Sequence, residues 1–253
     1  MCAGVFVDPK VAFVGLYAVR PEFQGLGIGI KIWRTIMHHV SDRNAGLYAV
    51  PEHLHTYRDV AGFVLEDSRK MIVYESDCLL TTDDLVKAIG NVFVAEISEE
   101  TEQRVMEYDE SVTHANRSRL LHQTFRQEGS LSLVAFETSR SRPGSSETSE
   151  VRKVLGYLCL RVNNIGKAMA GPLYADNDGV AELLMSEAIA RFPLATSKGL
   201  LYMTLDSSPG GIRIADKLKL DYGEHLPRLF TKEIPVADFD RIYCIHSPNF
   251  SPY

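Results

Sequence analysis

Between an apolar segment and an amphipathic one, the chain reads Val19-Arg20-Pro21-Glu22-Phe23-Gln24-Gly25-Leu26-Gly27-Ile28-Gly29. Residues 11–19 are rich in Val, Phe and Tyr, which predicts a buried strand. Beyond the glycines, apolar residues recur every four positions over 28–40, which predicts an amphipathic helix. The first N–H groups of a helix have no partner within it, and glycines let a ligand approach the backbone. A turn of this kind therefore predicts a phosphate-binding site.

The spacing of the glycines narrows the choice of ligand. A dinucleotide-binding turn, G-x-G-x-x-G, requires a third glycine where Ile30 or Ile32 stands, and a P-loop also requires a glycine at Ile30. The spacing instead fits Q/R-x-x-G-x-G, filled by Gln24, Gly27 and Gly29. This pattern is the acetyl-coenzyme A signature of the GNAT superfamily of N-acetyltransferases, which the first part of the chain resembles.

The resemblance covers about residues 2–75 and includes the strand-like segment 46–50 and the pair Gly62-Phe63. It implies an α/β fold with a mixed sheet and acetyl-coenzyme A as the acyl donor. The acceptor would be an amine, on a small molecule or a peptide, that attacks the thioester directly without a covalent enzyme intermediate. The identity of this amine does not follow from the sequence.

The same resemblance assigns roles to particular residues. Pyrophosphate would bind to a turn formed by Gln24, Gly25, Leu26, Gly27, Ile28 and Gly29. The backbone of Tyr17, Ala18 and Val19 would align the pantetheine arm, and the strands of the family splay apart beyond this point. Tyr57 would protonate the departing thiolate.

Tyr57 departs from the spacing of the family. The family pattern is Y-x-x-x-G-F, whereas four residues separate Tyr57 from Gly62 here. If the extra residue lies in the helix, the ring rotates by about 100° and misses the sulfur. If it lies in the following loop, Tyr57 keeps its place. A tyrosine that only packs against the neighbouring strand is the competing interpretation.

The sequence offers no evident general base. Residues 11–19 contain no acid, and Glu22 is expected in a solvated turn. His53 and His55 lie two residues apart, and such a pair does not converge on one ligand when it is helical. We therefore expect solvated histidines at this point and no metal site.

The second half of the chain echoes the first. Residues 173–203 repeat the order strand, helix, strand. This half resembles the GNAT-like C-terminal domain of two-domain members, and the residues that carry the likeness are 117–121, 171–177 and 228–231. In place of the glycine turn it has Asp176-Asn177-Asp178-Gly179, whose two acids would repel pyrophosphate. Asn177 or Asp178 is instead expected to cap the following helix.

Three segments are predicted. They are a partial GNAT acetyl-coenzyme A-binding domain at 1–76, a connecting segment with one helix at 77–90, and a GNAT-like C-terminal domain at 91–253 with a mobile loop at 139–150. The chain begins at about the third strand of a full GNAT domain, so the first copy is expected to be truncated at its N-terminus. The absent elements normally form a wall of the acceptor pocket. Two functions therefore stay open, an active N-acetyltransferase and a catalytically impaired acyl-coenzyme A-binding or interaction protein.

Composition argues against other classes of protein. The net charge is −6, and the densest basic cluster, 117–126, is interrupted by apolar residues and predicts a helix face, so no nucleic acid is expected as a partner. No run approaches the ~20 apolar residues of a membrane span. Because the N-terminus also lacks the basic region of a signal peptide, we expect a cytoplasmic protein without a membrane partner. The four cysteines form no C-x-x-C pair, which argues against a zinc or redox motif.

Overall fold

The computed structural model describes residues 1–77, 80–138 and 153–253, so the loop predicted at 139–150 lies outside the described residues. The strands are β1 (Ala3–Phe6), β2 (Val11–Gly15), β3 (Asn44–Tyr48), β4 (Leu65–Glu66), β5 (Met71–Glu75), β6 (Val92–Glu96), β7 (Leu131–Glu137), β8 (Val154–Val162), β9 (Ala168–Ala175), β10 (Leu200–Leu205), β11 (Asp221–Leu226), β12 (Arg228–Phe230) and β13 (Ile242–Cys244). The helices are α1 (Ile28–Val40), α2 (Glu99–Thr113), α3 (Ser118–Phe125), α4 (Asp178–Arg191), α5 (Pro193–Lys198) and α6 (Pro209–Lys217). In this described part of the chain, no helix combines the length and apolarity needed to cross a membrane.

The strands form two mixed sheets, which confirms the predicted α/β class. The first sheet has the order β1-β2-β3-β12-β4, and the second has β11-β5-β10-β9-β8-β7-β6 with β13 paired to β9. In the first sheet β2 and β3 are parallel and α1 connects them. In the second sheet β9 and β10 are parallel, and α4 and α5 lie between them in sequence. The repeated strand–helix–strand unit is thus present in both sheets.

Each sheet contains a strand from the other half of the sequence. β5 lies between β10 and β11 and is antiparallel to both. β12 lies between β3 and β4 and is likewise antiparallel to both. The segment boundaries after residues 76 and 90 stay predictions, and these two strands pair across them.

A cluster of buried residues joins the two sheets. It contains Phe13 and Phe230 of the first sheet together with Met71, Tyr157 and Tyr174 of the second. The rings of Phe13 and Phe230 meet edge to face with centroids 6.5 Å apart. Removing a large apolar side chain from water contributes about 1.5–3 kcal/mol to stability. A shared core of this kind holds the two sheets together.

The basic cluster predicted to form a helix face includes a fully buried residue. Arg117 precedes α3, and its Nε donates to Asp109 Oδ1 of α2 at 2.9 Å. The hydroxyl of Tyr157 donates to Asp109 Oδ2 at 2.7 Å, and Arg117 Nη2 donates to Tyr174 Oη at 3.2 Å. A buried ion pair needs such additional bonds to offset the loss of hydration. Arg117 therefore fastens α2 and α3 to the second sheet.

Two local predictions are wrong. The strand predicted at 11–19 ends at Gly15, because Leu16 has a φ of 57° that turns the chain away from the sheet. The helix predicted within 77–90 is not found over the described residues 80–90. Thr82 there begins a turn, with Leu85 N donating to Thr82 O at 3.0 Å. Thr and Asp favour turns as well as helix caps, which explains the error.

Candidate active site

The glycine turn is exposed at the N-terminal end of α1. Gly25 and Gly27 have φ angles of 75° and 72°, which glycine adopts without steric cost. A Cβ at either position would meet no atom within 4 Å apart from its chain neighbours. The side chain of Gln24 closes the turn, since its Nε2 donates to Val19 O at 3.0 Å. These glycines therefore shape the turn without serving the packing of the protein.

The backbone of this turn presents free donors. Within the part of the chain that the structure describes, the N–H groups of residues 25–30 donate to no acceptor, whereas Gln24 N donates to Pro21 O at 3.1 Å. The first turn of α1 holds no acidic side chain, and the helix dipole adds partial positive charge at this end. These groups can bind an anion of the size of pyrophosphate.

Gly29 has a different role from the other two glycines. A Cβ at this position would collide with the hydroxyl of Tyr17 and lie 3.2 Å from Val19 Cγ2. The ring of Tyr17 also meets Trp33 of α1 nearly at right angles, with centroids 5.6 Å apart. Gly29 thus allows residues 17–19 to pass close to the first turn of α1.

Beside the turn, β2 and β3 diverge as the resemblance implies. Their ladder ends where Phe13 faces Gly46. A cavity of about 210 Å³ opens beyond this pair. It is lined by Val14, Gly15, Leu16, Tyr17, Trp33, Leu47, Tyr48, Val50, Tyr57, Pro248 and Asn249. The cavity therefore lies where two parallel strands separate, a common place for a ligand in α/β proteins.

Tyr57 lies in the wall of this cavity. Its ring packs against Trp33 with centroids 5.8 Å apart. Thr56–Val60 form one widened helical turn, in which Ala61 N donates to Thr56 O at 3.0 Å, five residues back. A turn of this kind, which takes up one residue more than a regular helical turn, is often found at functional sites. Burial, then Tyr17 and Cys2, raise the pKa of Tyr57, so its hydroxyl keeps its proton at neutral pH.

The three residues expected to align pantetheine differ in whether their backbone groups already form hydrogen bonds within the protein. Ala18 is paired with the first residue, since Ala18 N donates to Met1 O at 2.9 Å and Met1 N donates to Ala18 O at 2.5 Å. Val19 O accepts from Gln24, while Tyr17 lines the cavity with its ring. Tyr17 and the N–H of Val19 are thus better placed for pantetheine than Ala18, and all three assignments stay predictions.

The polar residues near the turn behave as expected for solvated groups. Glu22, His53 and His55 are exposed. The distance from His55 Nδ1 to Arg58 Nη2 is 3.1 Å. None of the three lines the cavity. Over the described residues, no group of three or more His, Cys, Asp or Glu side chains could hold a metal ion.

The corresponding cleft of the second half is filled by the chain itself. The described ladder between β9 and β10 covers Ala168 and Met169, and further along β9 the strand β13 pairs with Leu173 and Tyr174. Tyr202 Oη of β10 donates to Tyr243 O of β13 at 2.7 Å. β13 therefore occupies the space that corresponds to the open cavity of the first half.

The turn before α4 serves the helix and β13. Asn177 Oδ1 accepts from Val180 N at 3.1 Å, so Asn177 is the helix cap. Asp178 accepts from Tyr243 Oη at 2.9 Å and forms an ion pair with Arg213. This acidic turn contrasts with the free donors of the glycine turn and supports the expectation that the second half does not bind coenzyme A in the same way.

Sequence reasoning missed one wall of the cavity, which comes from residues 245–253, here called the C-terminal segment. A Cβ at Gly15 would lie 2.6 Å from Asn249 O, so the segment presses directly on β2. Tyr48 Oη donates to Ser251 O at 2.8 Å and fixes the segment to β3. The segment has no regular apolar period, and no sequence signal linked it to a site more than 200 residues earlier.

No family model matches the chain. The chain is 27% identical over 240 residues to the holothin acyltransferase of Pseudoalteromonas sp. (strain SANK 73390), a match that covers 94% of the chain and 72% of that protein. An uncharacterized protein of Caenorhabditis elegans is 24% identical over 253 residues, covering 94% of the chain and 75% of that protein.

Solved structures give the fold. An acetyltransferase candidate from Pyrococcus horikoshii has a TM-score of 0.70 at 17% identity and covers 98% of the chain and 75% of that structure. A GCN5-related N-acetyltransferase from Sphaerobacter thermophilus has a TM-score of 0.58 at 14% identity, with coverages of 93% and 77%. A tandem GNAT protein from the clavulanic acid biosynthesis pathway has a TM-score of 0.57 at 13% identity, with coverages of 87% and 74%.

The chain therefore has the fold of GNAT acetyltransferases, as its glycine turn predicts. Together with the named relative, this fold supports an acyltransferase.

Proposed function

We propose that the chain is an acetyl-coenzyme A-dependent N-acetyltransferase that acts in the cytoplasm. The observation that carries the proposal is a cavity opening between β2 and β3 beside a glycine turn with free N–H groups. The amine of a small molecule or peptide would attack the thioester in this cavity. The named relative, an acyltransferase, favours transfer over simple binding.

Each part of the site has a distinct role in this proposal. The N–H groups of residues 25–30 would hold the pyrophosphate, and Tyr17 and Val19 would align the pantetheine arm. Tyr57, whose pKa is raised by burial, would supply a proton to the thiolate as the carbon–sulfur bond breaks. Residues 24–29 contain no acidic side chain, unlike the corresponding turn of the second half. The phosphates would therefore meet no repulsion from the side chains of this turn.

Direct attack agrees with the state of the described cysteines. Burial raises the pKa of Cys159 to about 11 and that of Cys244 to about 12, and it also raises the pKa of Cys2. A thiol acts as a nucleophile through its thiolate, which these values disfavour. None of the three cysteines lines the cavity. The acyl group is therefore best transferred to the amine in one step.

Calorimetric titration with acetyl-coenzyme A, followed by a thiol-release assay with a panel of amines, tests the proposal. Gly27→Glu should abolish binding for two reasons. It places a carboxylate among the N–H groups that bind phosphate, and the backbone φ of 72° at this position is unfavourable for any residue with a side chain. The matched control is Gly90→Glu, which adds the same charge at an exposed glycine of the connecting segment. Binding without turnover would favour the acyl-coenzyme A-binding protein instead, and a wild type that does not bind would contradict both functions.

A further inference from the structure

The C-terminal segment closes one side of the gap between β2 and β3. A Cβ at Gly15 of β2 would lie 2.6 Å from Asn249 O, and Tyr48 Oη of β3 donates to Ser251 O at 2.8 Å. Gly15 and Tyr48 each lie two residues beyond the last pair of the ladder that joins their strands. The segment therefore contacts both strands at the point where they separate, and it bridges the gap between them.

This bridge and α1 lie on opposite faces of the first sheet. Successive side chains of a strand point to alternate faces. Val14 of β2 belongs to a buried cluster against which Trp33 of α1 packs. Its neighbour Phe13 belongs to a different cluster, which also contains Ile245 and Tyr253 of the C-terminal segment. The gap between the strands thus has α1 on one side and the C-terminal segment on the other.

The proposed donor would enter this gap from the side of α1. Its pyrophosphate would lie at the glycine turn before α1, and its pantetheine arm would pass Tyr17 and Val19. In the lining of the cavity, Tyr57 belongs to the side of α1, whereas Pro248 and Asn249 belong to the opposite side. An acyl group that continues beyond the thioester would therefore point toward Pro248 and Asn249.

The cavity is small for a donor with a long acyl chain. Its volume of about 210 Å³ is below the range of ~300–1,000 Å³ that is common for ligand pockets. The end of the pantetheine arm and the thioester would take up part of this volume. Little space is then left for further methylene groups before they meet Asn249.

Hydrogen bonds within the C-terminal segment hold Asn249 in this place. Asn249 N donates to Ser247 Oγ at 3.2 Å. Ser251 Oγ accepts from His246 N at 3.1 Å and donates to Tyr253 O at 2.8 Å. Ser251 and Tyr253 are also buried. A longer acyl chain would have to break these contacts in order to displace the segment.

We propose that Asn249 is a specificity-determining residue that restricts the donor to coenzyme A thioesters of short acyl groups, such as acetyl and propionyl. This inference rests on the proposed function, because the thioester must lie in the gap between β2 and β3. Asn249 acts by contact, since it occupies the space into which the further carbon atoms of a longer acyl chain would extend.

The first test measures the affinity of the wild-type chain for coenzyme A and for its acetyl, butyryl and hexanoyl thioesters by calorimetry. Dividing each Kd by that of coenzyme A removes the contribution of the pyrophosphate and the pantetheine arm. If the cavity were open at its far side, each buried methylene would strengthen binding about fourfold. We expect the reverse, with hexanoyl-coenzyme A bound about tenfold more weakly than acetyl-coenzyme A, because the added methylenes would overlap with the C-terminal segment.

The second test uses two variants of Asn249 that change the available space in opposite directions. Asn249→Ala removes the carboxamide and should raise the affinity for the butyryl thioester about tenfold, while the affinity for coenzyme A stays unchanged. Asn249→Gln adds one methylene and should lower the affinity for the butyryl thioester. A purely structural role for Asn249 would change the affinities for all ligands alike. The matched control, Gln123→Ala, removes a carboxamide from an exposed position of α3 that does not line the cavity.

The outcomes separate this inference from the function on which it rests. Equal binding of the hexanoyl and acetyl thioesters by the wild type would overturn the inference and leave the proposed function intact. An Asn249→Ala variant that keeps the wild-type order of affinities would overturn the role of Asn249. Should that variant not fold, an unchanged affinity of Asn249→Gln for the butyryl thioester would overturn the same role. A wild type that binds none of these ligands would reject the proposed function, and the inference with it.

Discussion

Tyr57 lies in a widened helical turn that has room for one more residue than a regular turn. A regular helical turn with one more residue would rotate the ring by about 100°. The chain instead widens the turn at Thr56–Val60, and the ring stays against Trp33 at the cavity. The hydroxyl is half-buried among apolar groups, which keeps it protonated. This geometry suits a proton donor and also explains why the spacing alone could not decide its role.

Replacing Tyr57 by Phe removes the hydroxyl and keeps the ring. We expect kcat to fall about 100-fold, because the thiolate loses its proton donor. The calorimetric affinity for acetyl-coenzyme A should not change. Burial, and then Tyr17 and Cys2, raise the pKa of Tyr57, so the wild-type rate should fall only at a pH above the ordinary tyrosine pKa of ~10. This decline should be missing in the variant.

Exposed Tyr222→Phe provides the matched control for this substitution, since Tyr222 is not one of the residues that line the cavity. A Tyr57→Phe variant with wild-type kcat would identify Tyr57 as a packing residue only.

At the scale of elements, the C-terminal segment depends on a buried histidine. His246 is 4% exposed, and its Nε2 lies 2.9 Å from Thr124 Oγ1 of α3. Arg161 donates to His246 O, which ties the segment to β8. Burial lowers the pKa of His246 well below its ordinary value, and the nearby charges of Arg161 and Arg117 act in the same direction. The folded protein therefore holds this imidazole uncharged.

The stability of the protein should depend on pH through this residue. Below the ordinary histidine pKa of ~6.5 the unfolded chain binds a proton that the folded chain refuses, so His246 lowers the free energy of unfolding as the pH falls, by at most about 1.4 kcal/mol per pH unit. Above that pH the contribution is constant. Urea unfolding at a series of pH values should show a smaller slope for His246→Gln than for wild type.

His53→Gln, at an exposed position, is the matched control for the urea series. An equal slope for wild type and His246→Gln would assign the acid sensitivity to other groups.

Elements whose signals are local were predictable from the sequence, and those fixed by distant contacts were not. The four-residue apolar period of α1 and the glycines before it lie within twenty residues of each other, so the turn and helix follow from the sequence. By contrast, β12 pairs with β3 across at least 180 positions of sequence, and Asn249 packs on Gly15. Apolar strands such as β5 and β12 specify burial but not a partner. The cavity wall formed by Asn249 therefore had no sequence signature.

At the scale of the whole molecule, the exchange of β5 and β12 makes each half dependent on the other. Without β5, the strands β10 and β11 lose the partner that lies between them. Without β12, β3 and β4 are separated, and the buried side chains of Leu229 and Phe230 leave the first sheet. The unpaired backbone groups and exposed apolar surface would both destabilise the separate halves.

We therefore expect that fragments 1–76 and 91–253, produced separately, do not fold. Each should lack a cooperative thermal transition followed by circular dichroism, while the intact chain shows one. A cooperative transition in either fragment alone would contradict the interdependence of the two sheets.

The strand β13 gives the two related turns of the molecule different evolutionary constraints. A Cβ at Gly25 or Gly27 would meet no atom beyond its chain neighbours, so only the positive φ angles of the turn and a bound ligand constrain these two positions. Asn177 and Asp178 hold α4 and Tyr243, so selection preserves them through stability even where no ligand binds. Loss of ligand binding would therefore relax the constraint on the glycine turn more than that on the acidic turn.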